Sequence, residues 1–362
     1  MKIFVIGSSI TSSYWNGAAT YYRGIYRSLA ALGHEITFAE PDAYSRQQHR
    51  DGTDADFPYV TSWVYQSPLD LPYLLNAAKK AELVIKHSGV GIDDALLERE
   101  VAALRSASTQ TAFWDVDAPA TLARVENDPT DPFRKLIAQY DYIFTYGGGP
   151  PVVDHYSRLG AEQCFPIYNA HDPETHFPVP AEKRFQCDLA FVGNRLPDRE
   201  RRVEDFFLAA AELAPEMSFL LGGEGWGSKA MPPNVRWIGH VGTCDHNAIN
   251  SSARMVLNIN RDSMAGVGFS PPTRVFEAAG AGACLITDQW PGIDQFFEVG
   301  AEILVAASAQ DVVRTLRTID AASSRKIGEA MRRRALRDHT YFLRAREVDR
   351  ILAGAGAELA AV

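Results

Sequence analysis

The 362-residue sequence predicts an α/β protein of two domains, each built around a parallel sheet. Three observations carry that prediction. Short apolar runs alternate with segments of helical period along the chain, which is the pattern of βα units. The length sits at the upper edge of what one hydrophobic core supports. Composition also shifts once near the middle, where Pro166, Pro173, Pro178 and Pro180 break helix and strand alike.

Taken in order, the first apolar run is Lys2 to Gly7, followed by a polar loop and a helix from about Ala18 to Leu32. Gly33 stops that helix, and Glu35 to Ala39 reads as the next strand. Further strands are predicted at Leu83–Lys86, Thr111–Trp114 and Tyr142–Thr145. After the proline-rich linker a second series opens with a strand at Asp188–Val192 and a helix from about Arg199 to Leu213. It continues with strands at Met217–Leu221, Val235–Ile238, Met255–Ile259, Cys284–Thr287 and Ile303–Val305, and a helix from Pro271. The domains are therefore expected at 1–172 and 173–338, with a final helix within 339–362 crossing back onto the first. Two such Rossmann-like halves bind ligands at the carboxyl ends of their strands, so the loops there are expected to face a cleft.

The bulk numbers exclude several classes. Apolar residues make up 46% of the chain and charged residues 22%, which excludes a disordered chain or a coiled coil. The net charge of −9 comes without a basic block that could follow a nucleic-acid backbone; the run Arg332, Arg333, Arg334 reads as a solvated helix face. The four cysteines (Cys164, Cys187, Cys244, Cys284) are scattered without metal-ligand spacing and read as reduced thiols. The first apolar run is too short for a signal-peptide core, and no stretch reaches membrane-spanning length, so a cytoplasmic protein is expected.

The most informative stretch runs from Ser270 to Asp288, Ser-Pro-Pro-Thr-Arg-Val-Phe-Glu-Ala-Ala-Gly-Ala-Gly-Ala-Cys-Leu-Ile-Thr-Asp. Ser270 can cap a helix, the prolines fit its first turn, and the alanines and glycines allow close packing. A helix start of this kind favours an anion such as a diphosphate. Glu277 could accept hydrogen bonds from both hydroxyls of a ribose, or simply pair with Arg274 at helical spacing. Arg195 and Arg199 follow a strand ending in Gly193, where guanidinium forks suit phosphate oxygens. Gly222-Gly223-Glu224-Gly225 is a tight turn after a strand. In the first half, Gly17 opens a helix where backbone amides can approach phosphates, unless Asn16 simply caps it. Asp115, Asp117 and His87 follow strands: the two acids serve as a base for an acceptor hydroxyl or as a turn before Pro119, and the histidine touches sugar hydroxyls or is structural. Asp115-Val116-Asp117 resembles a metal-binding Asp-x-Asp only superficially, and no metal cluster is visible.

The Ser270–Asp288 stretch closely resembles the donor-site segment of GT-B glycosyltransferases, in particular the CgeB-like (spore maturation protein) group related to family 1 transferases. Phe113 to Ala123, Tyr168 to Glu174 and the segment from Phe191 through Arg199 resemble further segments of that group, so the likeness reaches over most of the chain. It implies the GT-B architecture, a glycosyltransferase using a nucleotide-sugar co-substrate without cofactor or metal, Glu277 on the nucleotide ribose and Arg199 on its phosphates. It also implies donor contacts from Gly223, His240, Ser270 and Arg274. Many retaining members carry a second acid eight residues before the ribose-binding Glu, with seven residues between the two; here that place is Phe269, so the stereochemical outcome stays open, and amides of Gly266 to Ser270 are expected to replace the carboxylate. A UDP-sugar donor is the family's commonest choice. The alternatives are a nucleotide-sugar 2-epimerase of the same fold and a catalytically silent binding protein. Neither half opens with the Gly-x-Gly-x-x-Gly turn of a dehydrogenase.

Overall fold

The computed structural model describes residues 1–354, and the remainder of the expected C-terminal segment lies outside the described residues. The chain divides into two compact units: residues 1–169 with the segment from Tyr341 onward, and residues 170–340.

The first unit holds strands β1 (Lys2–Ile6), β2 (Glu35–Pro41), β3 (Thr61–Tyr65), β4 (Leu83–His87), β5 (Gln110–Asp115), β6 (Tyr142–Thr145) and β7 (Cys164–Pro166). They form one parallel sheet in the order β3-β2-β1-β4-β5-β6-β7. Central strands of such a sheet are covered on both faces, which is why Leu83-Val84-Ile85 reads as a continuous apolar run rather than an alternating one. The two edge strands were not expected from sequence. Thr61–Tyr65 is largely half-exposed and Cys164–Pro166 is three residues long, so neither offers a buried run for periodicity to detect.

Helix Tyr341–Leu352 packs on helix Ala19–Ala31 within this unit. Gly24 makes the approach possible, since a Cβ there would lie 2.2 Å from the Tyr341 ring. Tyr21 seals the contact edge-on to Tyr341 at 6.0 Å between centroids.

The second unit repeats the plan with β8 (Leu189–Val192), β9 (Phe219–Gly222), β10 (Val235–Trp237), β11 (Met255–Asn258), β12 (Leu285–Asp288) and β13 (Leu304–Ala306). Its parallel order is β10-β9-β8-β11-β12-β13. One core lies between this sheet and the helical segments Glu200–Leu213 and Ala309–Thr318, centred on Phe191, Phe207, Leu221, Trp226 and Ile286. In both sheets the strand order reverses direction beside the first strand, at β1/β4 and at β8/β11. Loops leaving the carboxyl ends there are where doubly wound folds hold ligands.

Candidate functional site

In the first unit the structure revises two of the three expected catalytic groups. His87 ends β4 but is buried among Tyr22, Tyr26 and Trp114, with Nε2 hydrogen-bonded to the Tyr26 hydroxyl. Burial holds its pKa down to about 3, so it is a neutral core histidine rather than a sugar contact. Asp115 ends β5 fully buried; its carboxylate accepts from the hydroxyls of Ser88 (2.7 Å), Thr121 (3.1 Å) and Tyr156 and from the Asp117 amide (3.0 Å). Those donors saturate it and tie three segments together, so it braces the site instead of meeting an acceptor. Asp117 occupies the N-cap position of helix Ala118–Asn127 and stays partly exposed.

The buried His87 has a measurable consequence. Its folded pKa lies below the unfolded value of about 6.5, so the unfolded chain takes up the proton first. Its contribution to stability is present above pH 6.5 and is lost as pH falls toward 3. Between pH 7.5 and 5 this should remove about 2 kcal/mol. Urea titrations of the wild type and His87→Leu at both pH values check it: the variant should lose less stability on acidification by that amount, and equal losses would refute the assignment.

Near Gly17 the alternative reading, a cap from Asn16, does not hold. The helix begins at Ala19 with Ala18 as N-cap and no side-chain cap, because the Asn16 amide donates instead to the carbonyls of Ser9 (2.7 Å) and Ser12 (2.9 Å). Gly17 is exposed, and a Cβ there would meet nothing within 4 Å, so no contact of this unit requires glycine.

The second unit gathers more of the expected residues. Gly223, just past β9, has φ +121°, and a Cβ would lie 2.3 Å from the Gly193 carbonyl oxygen. Only glycine lets the ends of β8 and β9 converge so closely. Its N–H donates to the Gly239 carbonyl (2.7 Å) and its carbonyl accepts from Trp237 Nε1 (2.9 Å), so its amide hydrogen is spent within the fold. Arg195 is likewise committed, to Glu200 (2.7 Å), the Gly225 carbonyl and Ser228, which corrects its expected role on phosphate. His240 is exposed beyond β10.

Arg199 and Arg274 are arranged differently. Arg199 donates one bond, from Nη2 to the Asn194 carbonyl (2.7 Å), and lies over the Phe191 ring; its Nε is buried without a partner. Burial, and then the nearby Arg274 and Arg261 charges, pull its pKa down to about 10. Arg274 lies in the first turn of helix Thr273–Gly280, and its Nη1 is also buried and unpartnered. Burial lowers its pKa too, against the pull of Glu277 one turn on.

Glu277 is buried to 9% exposure. Burial alone would raise its pKa, but His246 Nδ1 at 3.4 Å, His176 and Arg274 together bring it to about 2. It is therefore an anion at any working pH. The pocket against it is lined by Val192, His246, Asn258 and Arg274 among others. The small residues of this helix serve packing, as expected: a Cβ at Gly280 would lie 2.4 Å from His171 Nε2, which itself donates to the His176 carbonyl (2.7 Å).

The loop before that helix corrects one expectation and narrows another. Ser270 is not the cap: helical structure starts at Thr273 with Pro272 as N-cap, and the buried Ser270 hydroxyl lacks a partner. The amides of Gly268 and Phe269 are spent on Met264 (3.0 Å) and Pro291 (2.7 Å), so they cannot replace a carboxylate. Phe269 adopts φ +47°, an uncommon conformation for a bulky residue. Sequence reasoning missed His176 and His246 altogether. Nothing in the spacing of the two histidines links either to Glu277.

Residues 199–350 match the family described as glycosyl transferase-like, which supports the glycosyltransferase class read from the sequence. The chain has the GT-B fold. The Anabaena protein Alr3699/HepE, solved with UDP and glucose, superposes with a TM-score of 0.70 at 11% identity, over 98% of this chain and 100% of that one. Sucrose-phosphate synthase from Thermosynechococcus elongatus gives 0.68 at 14% identity, over 99% and 100%. AviGT4, a glycosyltransferase of avilamycin A biosynthesis, gives 0.62 at 18% identity, over 98% of each. No curated protein sequence matches the chain. Among the described residues no helix is long and apolar enough to cross a membrane.

Proposed function

We propose that this chain is a glycosyltransferase whose second unit binds a nucleotide-sugar donor, a UDP-sugar, between Arg199, Arg274 and Glu277. The observation that carries this reading is the pair of half-buried arginines, each with a buried, unpartnered guanidinium N–H and each with its pKa lowered chiefly by burial. Burying charge is costly, and the mutual repulsion of the two guanidinium groups adds to a cost that Asp198 and Glu277 offset only in part. A diphosphate supplies the missing negative charge in a geometry that guanidinium forks match. The start of helix Thr273–Gly280 adds the positive end of its dipole. Glu277, held ionised, accepts from the two ribose hydroxyls. Uracil is the base favoured here because the fold neighbour HepE was solved with UDP and with UDP-glucose.

In the reaction the bond between the anomeric carbon and the diphosphate oxygen breaks through an oxocarbenium-like state. Negative charge grows on the departing diphosphate, and Arg199 and Arg274 stabilise it where it develops. The acceptor hydroxyl then bonds to the anomeric carbon and gives up its proton. Of the three first-unit groups expected from sequence to take such a proton, Asp115 and His87 are sealed in the core and Asp117 stays partly exposed. The CgeB-like affiliation belongs to this reading as well.

A thermal-shift panel of UDP, GDP, dTDP and ADP tests the proposal. A concentration-dependent rise with UDP supports it, a rise with another nucleotide alone corrects the base, and no rise with any of the four overturns it.

A further inference from the structure

Glu277 does not stand alone in its pocket. His246 Nδ1 lies 3.4 Å from its Oε2 and His176 Nε2 4.0 Å from its Oε1. The three ligand-type atoms all fall within 4.8 Å of one another. They come from three separate places: the segment after His171, the helix Thr243–Ser252 and the helix Thr273–Gly280. We propose that His176, His246 and Glu277 form a binding site for a borderline-soft divalent cation of the zinc class, and that the cation competes with the nucleotide for Glu277.

The chemistry of the set points to that class. Two imidazoles and one carboxylate are ligands that zinc takes, whereas magnesium and calcium favour oxygen donors. With ligand bonds of about 2.0–2.2 Å, neighbouring donors of a tetrahedral ion lie about 3.3–3.5 Å apart. The His246–Glu277 separation already matches that edge, and the His176–Glu277 separation of 4.0 Å needs a small shift of the His176 side chain to reach it. The outer contacts fit as well. Thr175 Oγ1 lies 2.9 Å from His176 Nδ1, the ring nitrogen opposite the ligand atom, and so orients it. An entry path exists, because the side chains of His176, His246 and Glu277 are 14%, 18% and 11% exposed. Three protein ligands leave a fourth position for water or an incoming group.

The cation half of this proposal stands on the three side chains alone; the competition half rests on Glu277 holding the nucleotide. Metal-free protein titrated with Co(II), read by the visible absorption of tetrahedral cobalt, and with Zn(II) by calorimetry separates the two. One tight site per chain is expected, weakened about 10-fold or more in His176→Asn and in His246→Asn, and unchanged in His49→Ala. If either histidine variant misfolds, the tetrahedral cobalt spectrum of the wild type decides: its absence overturns the site. Binding that survives both histidine variants also overturns it. With UDP present, the apparent zinc affinity should fall as UDP rises; equal zinc affinity in a sample that demonstrably binds UDP refutes competition. Zinc binding in a protein that binds no nucleotide refutes the functional reading and leaves the site intact.

Discussion

Arg199→Ala should lower the rate of sugar-nucleotide cleavage, to acceptor or to water, by about 10²–10³-fold. The loss belongs in the transition state because the diphosphate is more negative when leaving than when still esterified. Arg199 is suited to feel that difference. Its Nε has no partner, its Nη2 makes one bond to the Asn194 carbonyl, and burial strengthens whatever charge contact it makes. Arg199→Lys keeps a positive charge but not the planar fork, so it should recover only part of the rate. Relieving the repulsion with Arg274 should leave the fold no less stable, which a urea titration of the alanine variant checks. Unchanged cleavage in a stably folded Arg199→Ala would remove this side chain from the mechanism.

Glu277→Gln should weaken UDP binding by about 10- to 100-fold while leaving the diphosphate contacts in place. The estimate follows from hydrogen bonds to a charged group, each worth about 1.5–3 kcal/mol, part of which an amide retains. A carboxylate accepts from both ribose hydroxyls at once, whereas glutamine presents one oxygen and one nitrogen donor. The pKa of Glu277 near 2 bears on the same point, because the residue never needs to lose a proton to bind. Calorimetry with UDP, with a 2′,3′-dideoxy analogue and with inorganic pyrophosphate separates ribose from phosphate recognition. The wild type should prefer UDP over the dideoxy analogue, the variant should do so much less, and both should bind pyrophosphate alike. If the variant keeps the full preference for the ribose hydroxyls, Glu277 is not their acceptor.

The α/β class and the order of strands and helices were legible in the sequence because they depend on local spacing. A run such as Leu83-Val84-Ile85, or a glycine stop at Gly33, carries its signal in neighbouring residues. The final helix, Tyr341–Leu352, was readable for the same reason. Glu277, Arg199 and Arg274 were legible as candidates because the surrounding stretch resembles a known donor segment, not because spacing alone separates them from a surface pair. Edge strands such as Thr61–Tyr65 escaped because they bury too little to impose a pattern.

Only the tertiary structure decided which polar residues keep their chemistry. Asp115 and Asp117 are indistinguishable in sequence, each an acid after the same strand. Ser88 and Tyr156, from other segments, close over Asp115 and leave Asp117 partly exposed. Arg195 and Arg199 look alike as well, until Glu200 is seen to neutralise one and no acid to bridge the other among the described residues. His176 and His246 reach Glu277 only through the packing of separate segments around a helix made thin by Gly280. Local sequence sets which backbone conformation a segment prefers. Partnership and burial of a charged side chain depend on residues distant along the chain, and so follow from the fold.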